Sequence, residues 1–254
     1  MNNRRQMIMR ELGLAPVFER KAAQSSAPES TIELNRPATR RASPAPRLPA
    51  AKDANAVRER RERILAMQWT ELKATVGGCT ACALHASRTQ TVFGVGDERA
   101  SLLFVGEAPG AEEDLQGEPF VGQAGKLLDN MLAAIDLKRG HEVYIANVVK
   151  CRPPKNRNPE PVEARTCEPY LARQVRLIKP KLIVALGKVA AQNLLDSDAP
   201  VSALRGKVLT YEGIPLIVTY HPAYLLRTLA DKAKAWEDLC FIREQMRELK
   251  SVLA

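Results

Sequence analysis

Three polar side chains in this sequence share a context that suits chemistry: the carboxylate in Gly106-Glu107-Ala108-Pro109-Gly110, the amide of Asn147 and the imidazole of His221. Each lies just beyond a short apolar run, Leu102 to Val105, Val143 to Ala146 and Leu216 to Tyr220. A fourth run, Leu182 to Leu186, ends in Gly187-Lys188. Short apolar runs that break into Gly, Pro or Asn read as buried strands ending in turns. In open α/β sheets ligands collect at the carboxyl ends of strands, because the loops there vary while the sheet holds them still. Polar chemistry therefore gathers on one sheet edge, which is an active-site placement.

A second constellation is sulfur. Cys79-Thr80-Ala81-Cys82 supplies two thiols from one turn, and Cys151 and Cys167 bracket a proline-stiffened basic loop that begins at Lys150-Cys151-Arg152-Pro153. Four soft ligands can close a tetrahedral zinc site or hold an iron–sulfur cluster, and spacing alone does not choose between them. Either group would pin the amino-terminal helix and the basic loop to the body of the protein, a structural role without redox chemistry. Cys240, between Leu239 and Phe241, reads as a core residue of a closing helix. No nucleotide cofactor is indicated. Gly94-Val95-Gly96 precedes a strand and has Arg99 where a dinucleotide fingerprint needs glycine, and Gly187-Lys188 has Leu182 where a phosphate loop needs one.

The elements that must position these groups follow in order. Leu65, Trp69, Leu72 and Val76 recur at helical spacing and predict a helix ending at Gly77-Gly78. Further helices are expected from about Gly125, from about Pro161 through Cys167, from the end of the Leu182 strand through Asn193, and from about Lys232 to Leu249. Glu112 to Gly122 and His221 to Arg227 read as loops over the strand ends, and Val208 to Thr219 as a hairpin turning at Glu212-Gly213. Strands alternating with helices predict an α/β fold, a three-layer α/β/α sandwich with a central, mainly parallel four-stranded sheet.

The chain has 254 residues, 45% of them hydrophobic, enough for one catalytic domain with a real core. Its formal net charge of +9 favours an anionic partner such as nucleic acid or an acidic membrane surface. Over half of the surplus falls in residues 1–55, rich in Ala, Pro, Ser and Arg, which reads as a disordered basic tail with a short helix expected within residues 1–20. Residues 56–254 form the expected catalytic domain. The amino terminus lacks a signal-peptide core and no run is long enough to span a bilayer, so a cytoplasmic protein without membrane partners is expected. An oligomer is not indicated, and a monomer is expected.

Taken together, Gly-Glu-Ala-Pro-Gly, Glu112-Glu113-Asp114, Pro119-Phe120-Val121-Gly122, Asn147, and His221-Pro222-Ala223-Tyr224-Leu225-Leu226-Arg227 resemble the motifs of the family 4 uracil-DNA glycosylases, in order, across about residues 63–250. The resemblance implies hydrolysis of the N-glycosidic bond of uracil in DNA, and a 4Fe–4S cluster on Cys79, Cys82, Cys151 and Cys167. Phe120 would stack on the flipped uracil, Asn147 would match its O4 and N3–H, and His221 would donate to O2. Family 1 relatives carry Asp where this chain has Ala108, so Glu107 or the adjacent backbone would position the attacking water. They also carry a tyrosine where Gly110 stands, so Glu113 would close the pocket against the thymine methyl. Lys188, Tyr224, Leu225 and Arg227 would contact DNA, with Arg152 to Arg157 as further phosphate candidates. The Lys-Arg-Arg-Ile-His insertion of a covalent-trapping branch is absent from the sequence, so turnover is expected. Two alternatives remain at this level: a noncatalytic DNA-binding module on the same fold, and a relative acting on hypoxanthine or another deaminated base.

Overall fold

The computed structural model describes residues 51–251. The tail expected over residues 1–50, and the short helix within it, lie outside the described residues. The chain runs through α1 (Ala51–Ala66), α2 (Trp69–Gly77), β1 (Val95–Gly96), β2 (Leu102–Gly106), α3 (Ala111–Gln116), α4 (Gln123–Ala133) and β3 (Val143–Asn147). It continues through α5 (Pro161–Ile178), β4 (Leu182–Leu186), α6 (Lys188–Leu195), α7 (Val201–Leu204), β5 (Leu209–Tyr211), β6 (Ile214–Thr219), α8 (Pro222–Arg227) and α9 (Lys232–Ser251).

The strands form one sheet of order β1-β3-β2-β4-β6-β5. The four central strands are parallel, and β1 and β5 pair antiparallel on the two edges. The expected four-stranded sheet is thus corrected to a mixed sheet of six. The additions are short edges: β1 is two residues long and holds one of the rejected glycines, and β5 is the first arm of the hairpin.

Side chains alternate across the pleat. Leu103 and Val105 of β2 join a core with Leu72, Val76, Leu171 and Val175 of the helices on one face. Leu102 and Phe104 join Leu128 and Leu132 of α4 and Leu239 and Ile242 of α9 on the other. These two cores make three layers. From β2 the chain crosses to β3 on one side, and β4 lies on the other, so the strand order reverses at β2 and opens a crevice at its carboxyl end.

The single helix expected to end at Gly77 is two. The break at Met67-Gln68 is held by Arg173 of α5, whose guanidinium donates to the carbonyls of Met67 and Ala66. Unsatisfied helix-end carbonyls have found a cationic cap from another element. Among the described residues no helix is long and apolar enough to cross a membrane.

Candidate functional site

The crevice at the carboxyl ends of β2, β3, β4 and β6 is a cleft of about 800 Å³. Glu107, Glu113, Phe120, Asn147, Lys188, His221, Tyr224 and Arg227 all line it, as does Arg157 of the basic loop. Of the residues expected to meet substrate or DNA, Arg152 and Lys155 do not line it, and neither does Leu225. Leu225 is 1% exposed and packs in the core beneath α8, while Leu226 beside it is 42% exposed. The expected surface position of Leu225 is therefore corrected. The expected loop is a helical turn, which points one of two adjacent leucines inward and the other outward.

Asn147 ends β3, where the register places it beside Gly106 of β2. It is 2% exposed, and its Oδ1 is buried without a hydrogen-bond partner. Native interiors rarely leave such an acceptor unpaired, because desolvation costs about 1–3 kcal/mol. Phe120 stands next to it with φ of 56°, a conformation that glycine adopts freely and a bulky residue does not. Its ring lies 5.5 Å from that of His221, tilted by 32°. A Cβ on Gly106 would come within 2.5 Å of both Asn147 Oδ1 and Phe120 Cζ, and one on Gly187 within 2.8 Å of His221 Cβ. Two glycines at strand ends thus make the room in which the three polar or aromatic groups sit.

His221 is the N-cap of α8, and its Nδ1 accepts from the main-chain N–H of Ala223 at 3.1 Å. That contact leaves the proton of the neutral ring on Nε2. Burial, aided by the nearby Arg227 and opposed by Glu113, lowers its pKa to about 4. The imidazole is a neutral donor at neutral pH. Glu107 stands at the turn after β2, and burial raises its pKa above the usual carboxylate range. The Glu113 carboxylate accepts from the main-chain N–H groups of Gly110, Val121 and Gly122, each at 3.0 Å. It ties the turn after β2 to the segment that carries Phe120.

Tyr224 stacks on Tyr220 with ring centroids 5.4 Å apart, and its hydroxyl donates to Asp231 at 2.6 Å. Lys188 is exposed at the start of α6, and Arg227 is exposed at the end of α8. Arg157 is committed elsewhere: it pairs with the buried Glu163 at 2.7 Å.

The four expected cysteine ligands line a second, much smaller cavity together, with Tyr170 and Lys150. Cations surround it. Arg88 donates to Cys151 Sγ at 3.0 Å, Arg60 Nη2 lies 4.0 Å from Cys79 Sγ, and Lys150 is fully buried beside Cys167. Burial pushes the Cys167 thiol up to about 12, with Lys150 opposing. At Cys79 burial also raises the pKa, but hydrogen bonds from Tyr170 and Ala81 and the charge of Arg60 outweigh it, so the net shift is downward. Among the described residues no group of three or more His, Cys, Asp or Glu side chains is gathered tightly enough to hold a single metal ion. Cys240 is partly exposed on α9 and does not line this cavity.

Residues 93–240 match the family model of the uracil DNA glycosylase superfamily. The chain belongs to this superfamily. Its relatives place it in the type-4 branch. It is 52% identical to the type-4 uracil-DNA glycosylase of Archaeoglobus fulgidus over 156 residues, covering 58% of this chain and 78% of that protein. It is 44% identical to the type-4 enzyme of Thermotoga maritima over 158 residues, covering 61% and 82%. With that of Pyrobaculum aerophilum it shares 39% over 182 residues, covering 68% and 92%.

Within this glycosylase fold, several supporting residues carry little signal in the sequence. Arg139, in the connection to β3, donates to the carbonyls of Pro119 and Phe120 at 2.7 Å each and to Asp129 at 3.0 Å. Two of its partners are main-chain oxygens 19 and 20 residues back along the chain, which no side-chain pattern announces. Gly125 lets α4 pass beneath the same turn, since a Cβ there would meet the Phe120 carbonyl. Lys150, the first residue of the basic loop, is 1% exposed.

Proposed function

We propose that this protein is a uracil-DNA glycosylase that flips uracil from DNA and hydrolyses its N-glycosidic bond, leaving an abasic site for base excision repair. The unpaired, buried Oδ1 of Asn147, at the strand ends between Phe120 and His221, carries this reading. The type-4 relatives support it.

In this reading the flipped base stacks on Phe120. The Asn147 amide accepts from N3–H through the orphaned Oδ1 and donates to O4, which mismatches the amino group of cytosine. As the bond from N1 to the sugar breaks, its electron pair moves into the uracil ring, and Nε2–H of His221 donates to the negative charge that develops on O2. A neutral imidazole suits this role because Nε2–H is already held in place by the bond that Nδ1 accepts. Glu107 positions the water that adds to the sugar carbon, and its raised pKa fits it to take the proton that the water sheds. Glu113 forms the pocket wall against a 5-methyl group, clamped by three amides. Lys188 and Arg227 contact phosphates, Tyr224 braces α8, and the exposed Leu226 fills the gap left by the flipped base.

The four thiols facing one cavity, ringed by Arg60, Arg88 and Lys150, fit a cluster with a net negative charge. Cys79, Cys82, Cys151 and Cys167 would hold a 4Fe–4S cluster, which when bound supplies a structural cross-link without redox chemistry. It joins the segment after α2, the loop after β3 and α5. Residues 56–254 comprise the catalytic domain beyond the basic tail, in a protein read as a monomer.

The test is a set of duplex and single-stranded oligonucleotides with one uracil, thymine, cytosine or hypoxanthine, scored for base release. Release from uracil alone is expected. Release from hypoxanthine in place of uracil would move the reading to another deaminated base, and binding without release would leave a noncatalytic module. Iron content and visible absorbance after aerobic purification test the cluster, and a colourless protein with stoichiometric zinc would exclude it.

A further inference from the structure

Among the described residues, Lys150 is one of the largest side chains fully buried, and no carboxylate pairs with it. Burying an ammonium is costly unless its protons are taken up. Its Nζ donates to the main-chain oxygen of Asn147 at 2.9 Å and to Gln174 Oε1 at 2.6 Å. Gln174, also fully buried on α5, passes the chain of contacts to the Phe93 carbonyl at 2.9 Å. At its other end, Lys150 lines the cysteine cavity, and its own main-chain N–H bonds to the Cys167 sulfur. One residue therefore touches both the sulfur site and the end of β3.

We propose that Lys150 is a positioning residue that fixes the peptide of Asn147 against the four-cysteine site, so that the geometry of base recognition depends on the packing around the sulfurs. This rests on the reading of Asn147 as the base-reading amide. The side chain of Asn147 lies in a pocket where a Cβ on Gly106 would not fit, so a small tilt of its peptide carries Oδ1 out of line with a bound base. An ammonium with two fixed acceptors restrains that tilt. A purely apolar residue of the same length fills the volume and leaves two buried oxygens without a donor. The exposed Lys138, in the connection before β3, lines neither cavity and serves as a control.

Lys150→Met is the test, made in the full-length protein purified with its iron and compared with wild type and Lys138→Met. The expected result is undiminished iron per chain, a shifted 1H–15N resonance for the Asn147 side-chain amide, and a KM for uracil DNA raised about tenfold with kcat reduced less. Gln174→Leu, which removes one acceptor and leaves the lysine, is expected to shift the same resonance by less. It carries the comparison if Lys150→Met does not accumulate as folded protein. An iron-loaded Lys150→Met enzyme with an unmoved Asn147 resonance and unchanged KM would overturn the proposal. So would Gln174→Leu with neither change, should that be the variant available. Failure of the pocket reading is separately visible: Asn147→Ala would then release uracil normally, whatever Lys150→Met does to the resonance.

Discussion

The two polar cavities lie at either end of the short segment from Asn147 to Cys151, yet they are built on opposite principles. In the cleft at the strand ends, groups that would meet a base are neutral or unpaired: His221 with its pKa near 4 and Asn147 with an orphaned oxygen, while burial raises the pKa of Glu107. Around the cysteines stand Arg60, Arg88, Lys150 and Tyr170. The first cavity keeps its hydrogen bonds in reserve for something that arrives and leaves. The second commits its charges to something that stays. A recognition site and a structural site can thus be told apart by their unsatisfied groups before any ligand is seen.

The contrast can be broken from either end, and the largest effect belongs to the sulfur side. Cys167→Ala removes a buried ligand and leaves Lys150 without its neighbour, so loss of iron and a stability decrease of about 3 kcal/mol or more are expected in urea titrations. A variant that keeps its stability and iron would show that the cavity commits to nothing. On the other side, Gly106→Ala inserts a methyl group between Asn147 and Phe120. Uracil release is expected to fall about a hundredfold while iron content holds, since overpacking costs roughly 1–3 kcal/mol and falls on the recognition groups.

A pH experiment sharpens the comparison further. The folded pKa of His221 lies below its unfolded value of about 6.5, so below pH 6.5 the unfolded chain takes up a proton that the folded protein refuses. The stabilising contribution is present above the unfolded pKa and is lost as pH falls toward 4. Between pH 7.5 and 4.5 the wild type should lose about 2 kcal/mol more than His221→Gln, read from urea midpoints at each pH. Equal losses would mean that the imidazole is not held neutral. The smallest effect is expected from Arg139→Ala, which frees the turn that sets Phe120. KM should rise about tenfold with kcat nearly kept, and Arg139→Lys should recover part of it.

How much of this was legible in the sequence depended on whether a residue's reason for being there is local. Glu107, Asn147 and His221 were readable because an apolar run that breaks into a polar turn is a local signature of a buried strand end. The four cysteines were readable as one group because a cysteine-poor chain has few other uses for two such pairs, and together they line one cavity. Leu225 was misplaced because α8 is six residues long, too short for periodicity to separate an inward from an outward leucine. β1 escaped notice at two residues, paired only through its backbone. Arg139, Gly106, Gly125 and Lys150 act on main-chain atoms or on space, and only the packed fold reveals them. Lys150 sits in a basic stretch that looks like surface, and what buries it is α5, contributed from farther along the chain.

The central claim is that the cleft at the strand ends reads and releases uracil. Its most direct measurement is alkali-labile cleavage of an oligonucleotide carrying one uracil, with wild type, Asn147→Ala and His221→Ala in parallel and iron measured in each. Cleavage by wild type, lowered about a hundredfold to a thousandfold in both variants at unchanged iron content, is the predicted result. Cleavage that survives both substitutions, or a wild type that binds the DNA and leaves the uracil in place, would contradict it.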